Sequence, residues 1–204
     1  MQKTDFKKTL KHLYAPSAKE WVEVDVPPLQ YLMVDGMGSP GEAPEYFRAV
    51  EWLFSLSYPL KFMSKKELQK DYAVPPLEGL WWADDMASFL NGDKDSWKWT
   101  MMIMQPDWIT PEMFAAATDK ARGKMGEPPA SLRLETYDEG LSVQIMYVGA
   151  YADEGPTIAR LHNEFLPENG LAETGHHHEI YLGDPRRIAP DKLKTVIRQP
   201  VRRL

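Results

Sequence analysis

Cysteine is absent from the 204 residues, which excludes disulfides, thiolate nucleophiles, iron–sulfur clusters and Cys-based zinc sites together. No stretch approaches the roughly 18 uninterrupted apolar residues of a membrane helix. The N-terminal residues from Met1 to His12 carry Lys3, Lys7, Lys8 and Lys11 without the apolar segment of a signal peptide. These absences predict a soluble, cytoplasmic protein with no membrane partner. Positive charge is also in short supply: 24 Lys and Arg against 30 Asp and Glu give a net charge of -6, with no bulk attraction to a phosphate backbone. The basic tail from Arg186 to Arg203 reads as a solvated face, so no nucleic-acid partner is expected. Gly-rich phosphate loops, Ser-centred nucleophile elbows and His-Glu helix motifs are missing as well. The run His176-His177-His178 fails as a metal site, because adjacent strand residues diverge and no third ligand follows at a recognisable spacing. No metal and no other cofactor is expected.

Large, flat and polarizable side chains are present in excess: 7 Trp, 9 Tyr, 7 Phe and 11 Met. A core of this size does not require so many, which favours an aromatic-lined pocket. Pro27-Pro28 turns the chain into a strand over Leu29–Asp35 that ends at Gly36 and Gly38. Tyr46, Phe47, Val50, Leu53 and Phe54 recur at helical spacing, predicting a helix from Glu42 to Ser57. Tyr58 to Met63 and Leu77 to Ala83 read as extended, and Lys98 to Gln105 as a strand stopped by Pro106. Thr110-Pro111 opens a helix with a hydroxyl N-cap and proline at the first helical position. Strands over Leu132–Tyr137 and Leu141–Val148 are expected to form a hairpin turning at Glu139-Gly140. A helix over Glu154–Phe165, a strand over His177–Leu182 and a last strand over Leu193–Arg198 complete the reading.

Tyr31-Leu-Met-Val-Asp-Gly36 before one helix resembles Gln144-Ile-Met-Tyr-Val-Gly149 before another, a weak internal repeat. It predicts an α+β fold of two fused β-α-β-β halves, about residues 20–125 and 130–200, within a single domain over 1–204. The sheet would be antiparallel, with helices on one face and a ligand groove on the other.

Several motifs resemble the stand-alone GyrI-like small-molecule-binding proteins. They are Pro75-Pro76-Leu77-Glu78-Gly79-Leu80-Trp81-Trp82, the turn from Gly149-Ala150-Tyr151 to Glu154, His177-His178-Glu179-Ile180-Tyr181-Leu182-Gly183-Asp184-Pro185-Arg186-Arg187, and Lys194-Thr195-Val196-Ile197-Arg198-Gln199-Pro200-Val201. Ala150 departs from the pattern, standing where the superfamily often has proline. The resemblance implies the fold of the drug-binding effector domains of regulators such as BmrR, in which a buried glutamate on a late strand meets cationic aromatic drugs. Glu179 takes that place, with Tyr181 beside it. The stand-alone branch is associated with hydrolysis of cyclopropane-bearing DNA-alkylating antibiotics, which implies a cofactor-independent detoxifying hydrolase. A protein partner of gyrase is suggested by the family name alone. The length leaves no room for a helix-turn-helix domain beside the ligand domain, so no transcription regulator is expected from this chain.

Strand alternation gives the same residues a reading of their own. His177, Glu179 and Tyr181 share one face, while His178, Ile180 and Leu182 share the other and are expected to pack on the helices. Burial would raise the Glu179 carboxyl pKa and make it a general base or a receptor for a cation; the plainer alternative is a strand glutamate on a solvated face. Trp81 and Trp82 face opposite ways, so only one can meet a ligand and the other is core. Tyr147 and Tyr151 place phenols beside the same strand, with core phenols as their plainer reading, and Met33 and His177 complete the ligand-contact set. As catalytic residues, Glu179 would deprotonate a water and Tyr181 would assist. The alternative function is a non-catalytic binder that senses or sequesters flat aromatic or cationic compounds, and a homodimer is an assembly compatible with the chain.

Overall fold

The computed structural model describes residues 2–84 and 96–204. In chain order the elements are β1 (Lys3–Thr4), α1 (Phe6–Thr9), α2 (Lys11–Tyr14), β2 (Val22–Val26), β3 (Leu29–Met37), α3 (Pro44–Glu67), β4 (Asp71–Tyr72), β5 (Leu77–Trp82), β6 (Lys98–Gln105), α4 (Pro111–Met125), β7 (Arg133–Tyr137) and β8 (Gly140–Val148). A 3-10 turn at Tyr151–Asp153 leads into α5 (Gly155–Arg160), a π-helical turn at Leu161–Phe165 and α6 (Leu166–Glu168). Strands β9 (Leu171–Glu173), β10 (His177–Tyr181) and β11 (Lys194–Arg203) follow. No helix among the described residues is long and apolar enough to cross a membrane.

The chain is α+β and divides into two compact units, one of Met1–Thr9 with Leu29–Tyr137, the other of Leu10–Pro28 with Asp138–Leu204. Each repeats the expected β-α-β-β connection. In the first, β6 pairs antiparallel with both β5 and β3, and β7 adds to the free edge of β3. In the second, β11 pairs antiparallel with β10 and β8, and β2 adds to the free edge of β8. The edge strands overturn the expected hairpin: β7 pairs with β3, not with the β8 that follows it. Gly140 makes the turn at a φ of 67°, but the strands before and after the turn, β7 and β8, belong to different units.

In the first unit α3 packs on β3, β6 and α4. The segment Tyr58 to Met63, expected to be extended, continues α3 through Pro59. An interior proline removes one helical hydrogen bond at a cost of about 3 kcal/mol. Here the buried face outweighs it, because Leu53, Leu56 and Leu60 recur at helical spacing across the proline and all are 0% exposed. Thr110 caps α4 as the sequence order predicted, its hydroxyl accepting from Met113 N at 3.3 Å. Gly36 is required by packing: a Cβ there would lie 2.1 Å from Cη2 of the fully buried Trp99.

The core of the second unit gathers Trp21, Val143, Ile145, Leu161, Leu166, Leu171, Ile197 and Val201. Leu161 and Leu166 come from the helical stretch, so this stretch covers the sheet face carrying Val143, Ile145 and Ile197. Strand β11 runs five residues beyond its expected end at Arg198, through Pro200 opposite Ser142.

Candidate functional site

Register decides which side chains meet on the second unit's sheet. Glu179 lies opposite Ile197, which lies opposite Ile145; Tyr181 lies opposite Thr195, which lies opposite Tyr147. Directly opposed residues project to the same face, so Glu179 and Tyr181 stand on the side covered by the helical stretch. Ile180 and Leu182 were expected there. Alternation in the sequence separated the two faces correctly, but both carry apolar residues, and only the register reveals which one the helices cover.

On that face three side chains are tied together. The Tyr181 hydroxyl donates to Glu179 Oε2 at 2.7 Å, and His177 Nε2 lies 3.1 Å from Glu179 Oε1. Both carboxylate oxygens are thereby oriented, and the Glu179 side chain keeps 15% of its surface open. The turn after β8 brings further groups to this point. Gly149 holds a φ of 154°, and a Cβ there would lie 2.6 Å from the Tyr147 hydroxyl, which donates to Ala150 O at 3.2 Å. Ala150 takes φ -70° and ψ 144°, within the range a proline ring imposes, so the turn keeps the shape expected of the family's proline. Tyr151 then packs its ring edge-on against Tyr181, with centroids 5.4 Å apart and planes at 71°.

Sequence reasoning missed Glu154, the residue this turn delivers. Glu154 is 3% exposed, and its Oε1 finds no hydrogen-bond partner among the described residues. Burial first, then the charge of Glu179, push its carboxyl up to about 9, while the Thr195 hydroxyl eases it slightly downward without closing a well-formed hydrogen bond. Glu154 is therefore a neutral acid at pH 7 beside Glu179. Tyr151 is raised to about 12 by burial and by the carboxylates of Glu154, Glu179 and Asp184, and Tyr147 is raised by burial, Glu154 and Asp153. No local signal marks Glu154: it precedes Gly155-Pro156 as the N-cap of α5, but its side chain makes no capping hydrogen bond.

Behind β10, on the opposite face, lies a buried ionic network. Arg198 donates from Nη1 to Glu139 Oε2 at 3.0 Å, from Nε to Gln144 Oε1 at 3.0 Å and from Nη2 to Leu13 O at 2.7 Å, while His178 Nδ1 lies 2.8 Å from Glu139 Oε1. Burial opposes ionisation of Glu139, but the cations of His178 and Arg198 overcome it and hold its carboxyl down to about 2. The network fixes β10 from behind and anchors the chain beside α2. Arg198→Met leaves Glu139 buried with only one of its two ionic partners and is expected to cost about 3–5 kcal/mol. Thermal unfolding should show a midpoint about 10 °C lower. The contribution of Glu139 is present above about pH 4.5 and is lost as pH falls towards 2, so the difference between the two chains should narrow in acid.

Of the expected site residues, Glu179, Tyr181, His177, Tyr147 and Tyr151 come together in the second unit. Trp81, Trp82 and Met33 belong to the first. Trp81 is 4% exposed, stacked on Tyr46 at 6.4 Å and edge-on to Trp97 at 6.1 Å, so it is the core member of its pair; Trp82 is half-buried. Met33 is buried opposite Met102. His177 and His178 turn to opposite faces, towards Glu179 and Glu139, and no group of three metal-binding side chains occurs among the described residues.

No curated protein matches the sequence. The crystal structure of an uncharacterized conserved protein from Listeria innocua matches with a TM-score of 0.89 at 40% identity, covering 98% of this chain and 100% of that one. The crystal structure of a hydrolase from Listeria innocua matches with a TM-score of 0.84 at 39% identity, over the same shares of the two chains. The C-terminal domain of EcmrR shares the fold, with a TM-score of 0.57 at 8% identity over 91% of this chain and 98% of that domain. The model of the GyrI-like small-molecule binding domain matches residues 20–202, and the chain belongs to that family.

Proposed function

We propose that this protein is a cofactor-independent hydrolase that opens the ring of electrophilic, cyclopropane-bearing aromatic compounds of the DNA-alkylating kind. The observation that carries the reading is the carboxyl pair. Glu154, uncharged to about pH 9, stands within electrostatic reach of a Glu179 whose two oxygens are oriented by Tyr181 and His177. A base and an acid on neighbouring positions of one face suit an attack by water in which charge moves across a flat substrate. The match to a Listeria hydrolase at 39% identity supports hydrolysis as the reaction class.

In this reading Glu179 takes a proton from water as the oxygen attacks the cyclopropane methylene. The ring carbon–carbon bond breaks, its electron pair aromatises the dienone, and negative charge gathers on the former carbonyl oxygen. Tyr151, whose high pKa keeps its hydroxyl protonated, stabilises that oxygen, and Glu154 supplies it with a proton. The product is a phenol bearing a hydroxymethyl arm, with the elements of water added and no redox change. Tyr181 orients the base, and its ring with that of Tyr151 offers the flat substrate an aromatic wall.

The experiment is incubation with a spirocyclopropane-dienone alkylator, following the product heavier by one water by mass spectrometry. Product well above the rate in buffer is expected. A rate equal to buffer refutes the hydrolase and leaves a receptor for organic cations, in which the partly open Glu179 carboxyl meets the ligand. Such a receptor would quench tryptophan emission with planar cationic dyes while turning nothing over.

A further inference from the structure

We propose that the outer face of α3 is the contact surface of a symmetric dimer of this chain, two copies of the helix crossing antiparallel. Helix α3 has 24 residues and is about 36 Å long. Its inner side buries Ala49, Trp52, Leu53, Leu56 and Leu60. A helix on a solvated surface carries polar residues on the opposite side. Here Phe47, Tyr58 and Phe62 are 54%, 51% and 59% exposed, and half-buried Phe54 stacks on Tyr58 with centroids 6.4 Å apart. At 100° per residue these four rings fall within an arc of about 80°. Single exposed rings are ordinary; four in one stripe mark an interaction site.

The two ends of the stripe are complementary to each other, which identifies the partner as a second copy. At the N-terminal end lies an open cavity of about 670 Å³ lined by Phe47, Glu51 and Trp52 of α3 and by Lys124 and Met125 of α4. At the C-terminal end Phe62 projects with Lys61 Nζ 5.0 Å from its ring centroid. Lys65 follows with its side chain 52% exposed, its Nζ 3.3 Å from Asp71 Oδ2. A twofold axis between positions 54 and 58 brings position 47 level with 65 of the other copy, 51 with 61, and 54 with 58. Phe62 then enters the other copy's cavity, Lys65 reaches Glu51, and Phe54 and Tyr58 close over Tyr58 and Phe54. Every contact is made twice, as an isologous interface requires. One ion pair selects the direction: Lys65 meets Glu51 only when the helices run antiparallel, and Arg48 and Lys124, which line the same cavity, offset part of that attraction. The exposed parts of three rings bury about 100 Å² each. Doubled by symmetry this is about 600 Å², and the flanking Glu51, Lys61 and Lys65 widen it towards the size of weak, reversible associations below about 1,200 Å².

Sedimentation velocity on the full chain tests this, with dimer expected to dominate at about 50 μM. Phe62→Asp and Tyr58→Asp should each raise the dimer dissociation constant by about tenfold or more. Their circular dichroism should stay unchanged, and their unfolding midpoint should equal that of the wild type at dilutions where all are monomeric, since both side chains are exposed. Glu51→Lys and Lys65→Glu should each weaken the dimer, and the double exchange should restore it. A wild type that stays monomeric at about 100 μM, or a dimer indifferent to all four substitutions, overturns the proposal.

Discussion

A chain carrying Glu179→Gln is expected to bind neutral flat aromatics as the wild type does and to hydrolyse a cyclopropane substrate about a hundredfold or more slowly, the scale of a positioned general base. The amide keeps the shape of the carboxylate and can still accept from the Tyr181 hydroxyl, which stands 2.7 Å from Oε2. Its NH₂ can turn to His177 Nε2, whose ring can accept in the other tautomer. What the substitution removes is the site for the water proton. Single-turnover mass spectrometry and fluorescence titration separate the two effects. A variant as fast as wild type would remove Glu179 from the role of base even if the reaction itself stands. A loss confined to the affinity for cationic ligands, with no turnover in either chain, would identify a receptor instead.

Why Glu179 and Tyr181 were legible in the sequence, and Glu154 was not, has a physical basis. A strand repeats every two residues, so His177, Glu179 and Tyr181 had to share a face whatever the rest of the chain did. The regular signals succeeded for the same reason: Thr110-Pro111 opened its helix, and the β-α-β-β repeat recurs in both units. Pairings between distant segments have no such local trace. Val22-Glu-Val-Asp-Val26 alternates as a strand should, yet nothing nearby says that it adds to β8, more than a hundred residues on. Pro59 misled in the opposite direction, since a local breaker signal was overruled by burial that only the folded core supplies. Glu154 belongs with these. Its unusual protonation comes from the helical stretch closing over it and from Glu179 across the sheet, and neither is visible from its neighbours in sequence.

Glu154→Gln is therefore the more discriminating substitution, because stability and activity are expected to move in opposite directions. In the folded chain the Glu154 carboxyl is raised from 4.5 to about 9, first by burial and then by the Glu179 charge. Between those values the folded state holds a proton that the unfolded chain releases. The group's contribution to stability is therefore complete below about pH 4.5 and is lost as pH rises through 9, with a slope of up to one proton. Glutamine fills the same space, stays neutral at every pH and removes that dependence. The variant should match the wild type near pH 5 and exceed it increasingly towards pH 9, by about 4 °C or more in unfolding midpoint at pH 8. Turnover should change the other way, falling about a hundredfold because the amide has no proton to give to the opening ring. Wild-type activity should decline above pH 9, where Glu154 finally ionises and two adjacent carboxylates repel. A variant less stable than wild type at pH 8 would mean that the carboxyl is a structural hydrogen-bonding group. Full turnover in the variant would show that the proton reaching the substrate oxygen comes from elsewhere, with the Tyr151 hydroxyl the next group to substitute.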